Sequence, residues 1–351
     1  MNAARLLSVW REPALTHPVL VLESDDWGAD APGRVAEQAR ALYALIQVLR
    51  SIRDATGRSA VMTIGLVSGI IDREVWRKTA RYVRLTLDHP SQAAVREALE
   101  SGIAAGVFAI QWHGLEHYWP PALLASRAQP AVRRWLEQEA PTEALPDALQ
   151  SRWVDGSVLP TQAIAGALIE QAIAEEAACL RRCFGRVPTV AVPNTFVWND
   201  DVEAAWRRAG VEWVVTPGAR HTGRDAQGRL LTDRRWLYNG APSATGVRYL
   251  VRDVYFEPAR GHDPQRLVSG LDRQVRAGRP CLVETHRFNY LGQRGAQARE
   301  ALRCALEMAL ARYAKLRFAA SEELGAKLLD RDADWVRPPR LAHCWTRLGV
   351  T

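Results

Sequence analysis

The stretch HPVLVLESDDWG, residues 17–28, decides how the fold is interpreted. Its apolar run, PVLVL, is typical of a strand that is buried on both faces. Two neighbouring carboxylates, Asp25 and Asp26, follow almost at once. Because adjacent carboxylates repel each other and are costly to remove from water, a positive group must neutralise this end of the strand. We therefore expect a buried strand that ends in a charged site.

The rest of the chain extends this pattern, since short aliphatic runs alternate with longer amphipathic stretches. That alternation is typical of βα units around a parallel sheet. About seven strands suit a distorted (β/α) barrel better than an open Rossmann sheet, and no G-x-G-x-x-G follows the first strand. The predicted parallel strands are 17–24, 59–66, 107–112, 187–192, 211–216, 280–285 and 316–320.

Three segments interrupt the alternation, within a single predicted domain over 1–351. Residues 120–160 are rich in proline and indicate a helical insertion. Residues 219–260 carry turn residues and β-like segments, which predict a hairpin insertion. Residues 325–351 form a C-terminal extension beyond the last predicted strand.

The composition excludes several classes of protein. The net charge is +7, but the arginines are dispersed and form no dense basic block, so no nucleic-acid partner is expected. An anionic glycan or a nucleotide-linked substrate stays open as the reason for the charge. No apolar run reaches the roughly 20 residues of a transmembrane helix, and the start of the chain lacks the apolar core of a secretory signal. We therefore expect a cytoplasmic protein without a transmembrane segment.

Chemically active side chains fall at the predicted carboxyl ends of strands, which is where a parallel barrel builds its active site. The Asp pair follows the first strand, His113 and His117 follow the third, and His286 follows the sixth. Two histidines four apart can share one ion, and an Asp oxygen completes a three-ligand set with an open position. The second Asp can then act as a base on water. The pattern predicts one divalent metal ion, with Zn²⁺ favoured over Co²⁺, Ni²⁺ or Mn²⁺.

The motifs ESDDWG, HGLEH, VAVPNTFVWND and VETH, in that order, resemble those of the polysaccharide deacetylase superfamily. This group is also called the NodB-homology or carbohydrate esterase family 4 group. The resemblance covers about 17–320, nearly the whole chain. It implies a distorted barrel that uses a divalent metal to remove N- or O-acetyl groups from sugars.

The resemblance also implies roles for individual residues. Asp25 matches the catalytic base, and His286 matches the general acid that protonates the leaving group. The metal ligands are matched by Asp26, His113 and His117.

The sequence departs from the family pattern at three positions. Gly114 stands where Ser or Thr is usual, and Asn194 stands where the family has its second Pro. Val192 replaces the arginine that orients the base. Arg252 and Arg287 are both candidates to supply the missing charge, and the sequence places neither.

Other residues are assigned to substrate binding. Asp253 is matched to the later family aspartate that tunes the acid histidine, with a surface charge as the alternative. Trp27 and Trp198 flank the motifs and are interpreted either as sugar platforms or as packing residues. Asn194 can bond a sugar hydroxyl or serve as a turn residue.

The predicted function is a metal-dependent carbohydrate deacetylase that acts on an N-acetylated sugar or glycan. A nucleotide- or lipid-linked sugar of surface polysaccharide assembly, such as an O-antigen precursor, is the expected substrate. The first alternative is a non-catalytic barrel that binds a glycan. The second is a zinc peptidase of the H-x-x-E-H type with Glu116 as base, which Gly114 disfavours because that motif needs a continuous helix.

Overall fold

The computed structural model describes residues 8–138 and 140–349. The single-domain prediction also included residues 1–7, 139, 350 and 351, which lie outside the described residues. In chain order the strands are β1 (Ala14–Leu15), β2 (Val19–Gly28), β3 (Met62–Val67), β4 (Gly69–Ile71), β5 (Arg84–Thr86), β6 (Phe108–Trp112), β7 (Val154–Asp155), β8 (Gln162–Ala163), β9 (Val190–Ala191), β10 (Trp213–Thr216), β11 (Ala219–Arg224), β12 (Leu230–Arg235), β13 (Arg248–Val251), β14 (Val254–Tyr255), β15 (Cys281–His286), β16 (Arg317–Phe318) and β17 (Val336–Arg337).

The helices lie mainly between the strands of the central sheet, as the alternating pattern predicts. In chain order they are α1 (Pro32–Ser51), α2 (Arg73–Thr79), α3 (Ala93–Ala104), α4 (Pro120–Ala125), α5 (Pro130–Glu137), α6 (Gly166–Phe184), α7 (Asp200–Arg208), α8 (Pro264–Ala277), α9 (Gly295–Arg312), α10 (Ser321–Leu329) and α11 (Leu341–Leu348). None of the described helices combines the length and apolar character needed to span a membrane.

The central sheet has the strand order β13-β10-β9-β6-β3-β2-β15-β14, with β16 also paired to β2. Every pairing within it is parallel. All ten residues of β2 are buried, as expected for a strand covered on both faces. Each of the seven predicted strands has a counterpart in this sheet.

The sheet curls until its two ends meet. The end strands β13 and β14 follow each other in the chain, with only Arg252 and Asp253 between them. No ladder of hydrogen bonds joins these two strands within the described residues, so the barrel is closed by chain connection rather than by strand pairing. The predicted fold class, a distorted (β/α) barrel, is confirmed.

The interrupting segments differ in part from the prediction. Residues 120–160 contain the short helices α4 and α5 and the strand β7. The segment 219–260 starts with the antiparallel hairpin β11–β12 but also contains β13 and β14 of the central sheet. The β-rich insertion must therefore be shortened to the part before residue 248. In the extension over 325–351, β17 pairs antiparallel with β1.

Candidate metal centre and active site

A β-bulge in β2 brings both carboxylates of the opening motif to one pocket. Between Ser24 and Trp27, β2 advances three residues while its partner β3 advances two. In a regular strand Asp25 and Asp26 would point to opposite faces. The extra residue re-aims them, and Asp26 adopts a left-handed backbone with φ 71°. A non-glycine residue in that region costs about 1–2 kcal/mol, a strain that is typical of functional sites.

Asp26, His113 and His117 form a buried three-ligand group. The Asp26 Oδ1 atom lies 3.1 Å from His113 Nε2 and 3.2 Å from His117 Nε2. One candidate ligand atom from each residue lies within 4.8 Å of the others. In a tetrahedral zinc site with bonds of about 2.0–2.1 Å, neighbouring ligand atoms are about 3.3–3.4 Å apart. The three side chains therefore fit a divalent metal ion.

The hydrogen bonding of His113 also indicates a cation. Its Nδ1 lies 2.9 Å from the carbonyl oxygen of Val192, which can only accept, so Nδ1 carries the proton and donates it. In the neutral ring Nε2 then presents a lone pair toward the Asp26 carboxylate, and two acceptors at this distance repel each other. Burial alone would lower the pKa of His113, but Asp25 and Asp26 raise it above its usual value. A positive charge between these atoms, either a proton on Nε2 or a metal ion, relieves this repulsion.

The two histidines are held by a loop. Residues 113–118 form no helix, yet the two imidazole centroids lie 5.1 Å apart. Gly114 has φ 96°, and a Cβ atom there would lie 2.8 Å from the Asn194 Oδ1 atom. Its N–H donates to Glu176 Oε1 at 3.0 Å. Glycine is therefore required for the bend that aims both rings at Asp26.

Asp25 is paired with the arginine at the seam of the barrel. Arg252 Nη2 lies 2.8 Å from Asp25 Oδ2, and both side chains are about 1% exposed. Arg287 instead pairs with Asp30 at 2.7 Å. Burial would raise the pKa of Asp25, but Arg252 and the neighbouring histidines lower it below its usual value. The charge that Val192 does not supply thus comes from Arg252.

Arg252 faces two further carboxylates inside the barrel. Its Nε lies 3.3 Å from Glu284 Oε2, and its Nη1 lies 3.7 Å from Glu23 Oε2. Burial raises the pKa of Glu23 to about 7, against the opposing charge of Arg252. The arginine therefore interacts most closely with Asp25, which keeps that carboxylate ionised.

The free oxygen of Asp25 lies in space that a glycine leaves open. Asp25 Oδ1 has no hydrogen-bond partner within the described residues. A Cβ atom at Gly65 of β3 would lie 2.3 Å from this oxygen. Glycine at position 65 therefore makes room for the carboxylate.

His286, at the end of β15, is held by a carboxylate that the sequence reasoning missed. Its Nδ1 lies 2.6 Å from Glu257 Oε1, and Asn289 Nδ2 donates to the other Glu257 oxygen. Burial alone would lower the pKa of His286, but the hydrogen bond to Glu257 and the charge of Asp26 raise it to about 10. Glu257 thus stabilises the protonated form of the imidazole. Glu257 lies two residues after the end of β14. Because that strand was not predicted from the sequence, the position of Glu257 at its carboxyl end was not recognised.

Asp253, assigned to this tuning role from the resemblance, lies elsewhere. Its Oδ2 accepts a hydrogen bond from Gln274 Nε2 at 2.7 Å, and Asp253 does not line the pocket that contains Asp25 and His286. The assignment to the site is therefore corrected, and Glu257 replaces Asp253 beside the histidine.

The other three predicted substrate-binding residues are buried in the core. Trp27 is 0% exposed and donates from Nε1 to Ser24 Oγ. Trp198 is equally buried and donates to Glu203 Oε1. Asn194 is buried as well, and its Nδ2 donates to the His113 carbonyl oxygen at 2.7 Å. Neither tryptophan therefore presents a ring face to a sugar. Asn194 instead supports the loop that carries His113 and His117.

A pocket of about 350 Å³ connects the metal ligands, Asp25 and His286. Its aromatic lining comes from Phe196, Tyr255 and Phe288, and the Phe288 ring stacks on His286. The helical insertion contributes polar lining residues, which are Glu143, Asp147 and Gln150. The pocket therefore combines ring faces with hydrogen-bonding groups around the candidate centre.

Glu116 forms two ion pairs, so it does not fit the role of catalytic base in a zinc peptidase. Its carboxylate is fully buried and pairs with Arg84 at 2.5 Å and with Arg152 at 3.1 Å. Tyr82 donates a further hydrogen bond to it. A carboxylate engaged in this way is not free to take a proton from water, so Glu116 anchors the loop between the two histidines.

One family model and several solved structures are similar to parts of this chain. The family model for glycosyl hydrolase family 57 matches residues 157–257. No curated protein matches the chain. Similar solved structures include the 4-alpha-glucanotransferase from Thermococcus litoralis, at 12% identity over 90% of this chain and 40% of that chain, with a TM-score of 0.43.

Two further similar structures are a carbohydrate esterase and a peptidoglycan deacetylase. The family 4 carbohydrate esterase from Streptomyces lividans is 10% identical over 93% of this chain and 100% of that chain, with a TM-score of 0.42. The peptidoglycan deacetylase from Bacillus subtilis is 11% identical over 91% of this chain and 95% of that chain, with a TM-score of 0.41.

Proposed function

We propose that this protein is a metal-dependent hydrolase that removes an N-acetyl group from a sugar. One observation carries the proposal: Asp25, paired with Arg252, and His286, paired with Glu257, line one pocket with three residues that could hold a metal ion. Sites that push the pKa values of two groups apart in this way are typical of acid–base catalysis. A barrel that only bound glycans would need no such pair.

Asp26, His113 and His117 are the proposed ligands, and two imidazoles with one carboxylate favour Zn²⁺ over Mn²⁺. A divalent ion held there polarises an acyl oxygen and makes water more acidic. The proton transfers are assigned to side chains of the protein.

Asp25 is the proposed base. Its Oδ1 packs against Gly65 and has no hydrogen-bond partner within the described residues, so it keeps a lone pair for the proton of an attacking water. Arg252 holds the opposite oxygen and keeps the carboxylate ionised until that proton arrives.

His286 is the proposed acid. Glu257 binds Nδ1, which leaves Nε2 as the nitrogen that can donate toward the pocket. An amine is a poor leaving group unless it is protonated, and general acid catalysis of this kind contributes about 10²–10⁴-fold. The His286 ring is then reprotonated, either by the proton that Asp25 took from water or by solvent.

The proposed substrate is an acetamido sugar whose ring packs against Phe196 and Phe288. Such aromatic faces suit the apolar side of a sugar, and the insertion residues Glu143, Asp147 and Gln150 are placed for its hydroxyls. We place the reaction in the modification of a surface polysaccharide precursor such as an O-antigen intermediate, linked to a nucleotide or a lipid.

Acetate release tests the proposal. The purified protein, loaded with Zn²⁺ or Co²⁺, is incubated with N-acetylhexosamine oligomers, nucleotide-linked N-acetylhexosamines and an O-acetylated xylan. We expect acetate from an N-acetylated sugar, and loss of that activity when a chelator removes the metal. Saturable sugar binding by the metal-loaded protein without any acetate release would instead support the glycan-binding alternative.

A further inference from the structure

A second cavity, of about 610 Å³, lies at the end of the barrel opposite the metal centre. Its lining includes Trp213 and Arg248, the first residues of β10 and β13, whereas the catalytic candidates follow the carboxyl ends of their strands. Because parallel strands share one direction, these two ends are separated by the length of the barrel. The cavity is therefore not an extension of the active-site pocket.

Four arginines give this cavity its charge, and we call it the arginine cleft. They are Arg11, Arg248, Arg331 and Arg337. Over residues 8–138 and 140–349, no carboxylate side chain lines the cleft, and none of the four arginines forms an ion pair.

The surroundings do not neutralise these charges. Arg248 Nη1 donates to the Gly240 carbonyl oxygen, which is uncharged. The Nε atom of Arg337 is buried and has no hydrogen-bond partner among the described residues. Burial and the nearby Arg340 both lower the pKa of Arg337, which is the direction expected for a cation without a counter-charge. Elsewhere in the barrel, buried arginines such as Arg252 and Arg220 lie against carboxylates.

The rest of the lining is apolar and partly aromatic. Trp10 is 52% exposed at the cleft, and Tyr238 lies in the lining with it. Prolines 242, 338 and 339 add flat, rigid surface. Exposed indole and phenol rings stack well on planar bases, and guanidinium groups bind phosphate oxygens in pairs. The cleft volume falls in the range of about 300–1,000 Å³ that is usual for small-molecule sites.

We propose that the arginine cleft binds a nucleoside diphosphate, with its phosphates on the arginines and its base against Trp10. This inference does not depend on the proposed deacetylase activity. An anion with a flat aromatic part matches both halves of the lining, whereas a bare phosphate would leave the aromatic wall without a role.

Isothermal titration calorimetry on the full chain tests this proposal, with ADP, inorganic pyrophosphate and adenosine as probes. We expect ADP to saturate one site per chain and to bind at least tenfold more tightly than either pyrophosphate or adenosine. The double variant Arg11→Glu/Arg331→Glu should weaken ADP binding by tenfold or more. Both side chains are exposed, and thermal melting of the variant verifies that it is folded.

Two controls assign the binding to the cleft. Arg40→Glu reverses an exposed charge on α1, outside the cleft, and should leave the Kd for ADP within twofold. Asp26→Asn should also leave it unchanged, which excludes binding through the metal centre. The proposal is overturned if ADP shows no saturable binding, if the double variant binds it as well as the wild type, or if pyrophosphate binds as tightly as ADP.

Discussion

Arg252 reaches Asp25 from the seam of the barrel, with Nη2 2.8 Å from Oδ2. The two residues belong to elements that are not neighbours in the sheet, since Arg252 lies between the end strands β13 and β14. The curl of the sheet is what brings them together. A single side chain thus links closure of the barrel to the charge of the proposed base.

Replacing Arg252 with Met should therefore reduce both stability and activity. Removing one partner of a buried ion pair costs about 3–5 kcal/mol, because the remaining charge is left unpaired. Displacement of the base should lower kcat/KM by about 100-fold. Urea unfolding and acetate release measure the two effects.

Arg220→Met is the matched control, because Arg220 is buried among Asp200, Glu203 and Asp233. It should destabilise the protein without lowering kcat/KM of the folded fraction. Equal losses of kcat/KM in both variants would show that Arg252 acts only through stability.

Glu257→Gln should move the alkaline limit of activity. The protonated His286 is the active form, and its raised pKa of about 10 depends in part on the hydrogen bond to Glu257. Loss of that charge lowers the pKa, so the acid is deprotonated at a lower pH. We expect the alkaline limb of kcat/KM to shift down by about one unit or more. Glu257→Asp keeps the negative charge, so its alkaline limb should move less than that of Glu257→Gln. An alkaline limb in Glu257→Gln at the same pH as in the wild type would contradict the role of Glu257.

Gly65→Ala tests the space around the base. The added Cβ would lie 2.3 Å from Asp25 Oδ1, so the carboxylate must move. A displacement of about 1 Å is expected to lower kcat about 100-fold. Gly166→Ala, which places its Cβ in open space, should leave kcat unchanged. Full activity of Gly65→Ala would show that the free oxygen is not used.

Gly114→Ser restores the residue type that is usual in the resembling family, yet it should weaken metal binding here. The Cβ atom would lie 2.8 Å from both Asn194 Oδ1 and the Glu116 carbonyl oxygen. Because the loop that aims both histidines must shift, the metal Kd should rise about 10–100-fold. Gly106→Ser shares the left-handed backbone, with φ 69°, but meets no atom within 4 Å. Calorimetric titration with Zn²⁺ should show no change in that control.

Local sequence patterns were sufficient to predict the barrel and the metal group. Each of the seven predicted strands lies in or beside an aliphatic run, and Asp26, His113 and His117 all follow such runs closely. In a parallel barrel those positions converge without any further information. The sequence also showed that Val192 stands where the resembling family has an arginine. It did not decide whether Arg252 or Arg287 supplies that charge.

What the sequence could not resolve depends on tertiary structure. Arg252 was one of two candidates for the compensating charge, and Glu257 was not recognised at all. Both flank β14, a strand of only two residues whose apolar pattern is too short to recognise. The burial of Trp27 and Trp198 could not be predicted either, because tryptophan near a barrel mouth suits a core and a sugar platform equally well. The bulge that turns Asp26 toward the histidines has no signature in ESDDWG itself.

The central claim is that the neighbouring carboxylates have different tasks, Asp26 as ligand and Asp25 as base. Metal content and acetate release, measured together on Asp25→Asn and Asp26→Asn, test it most directly. We predict that Asp25→Asn retains one equivalent of metal and loses acetate release by about 10²–10⁴-fold, whereas Asp26→Asn loses the metal. Full activity in Asp25→Asn, or unchanged metal content in Asp26→Asn, would contradict this division.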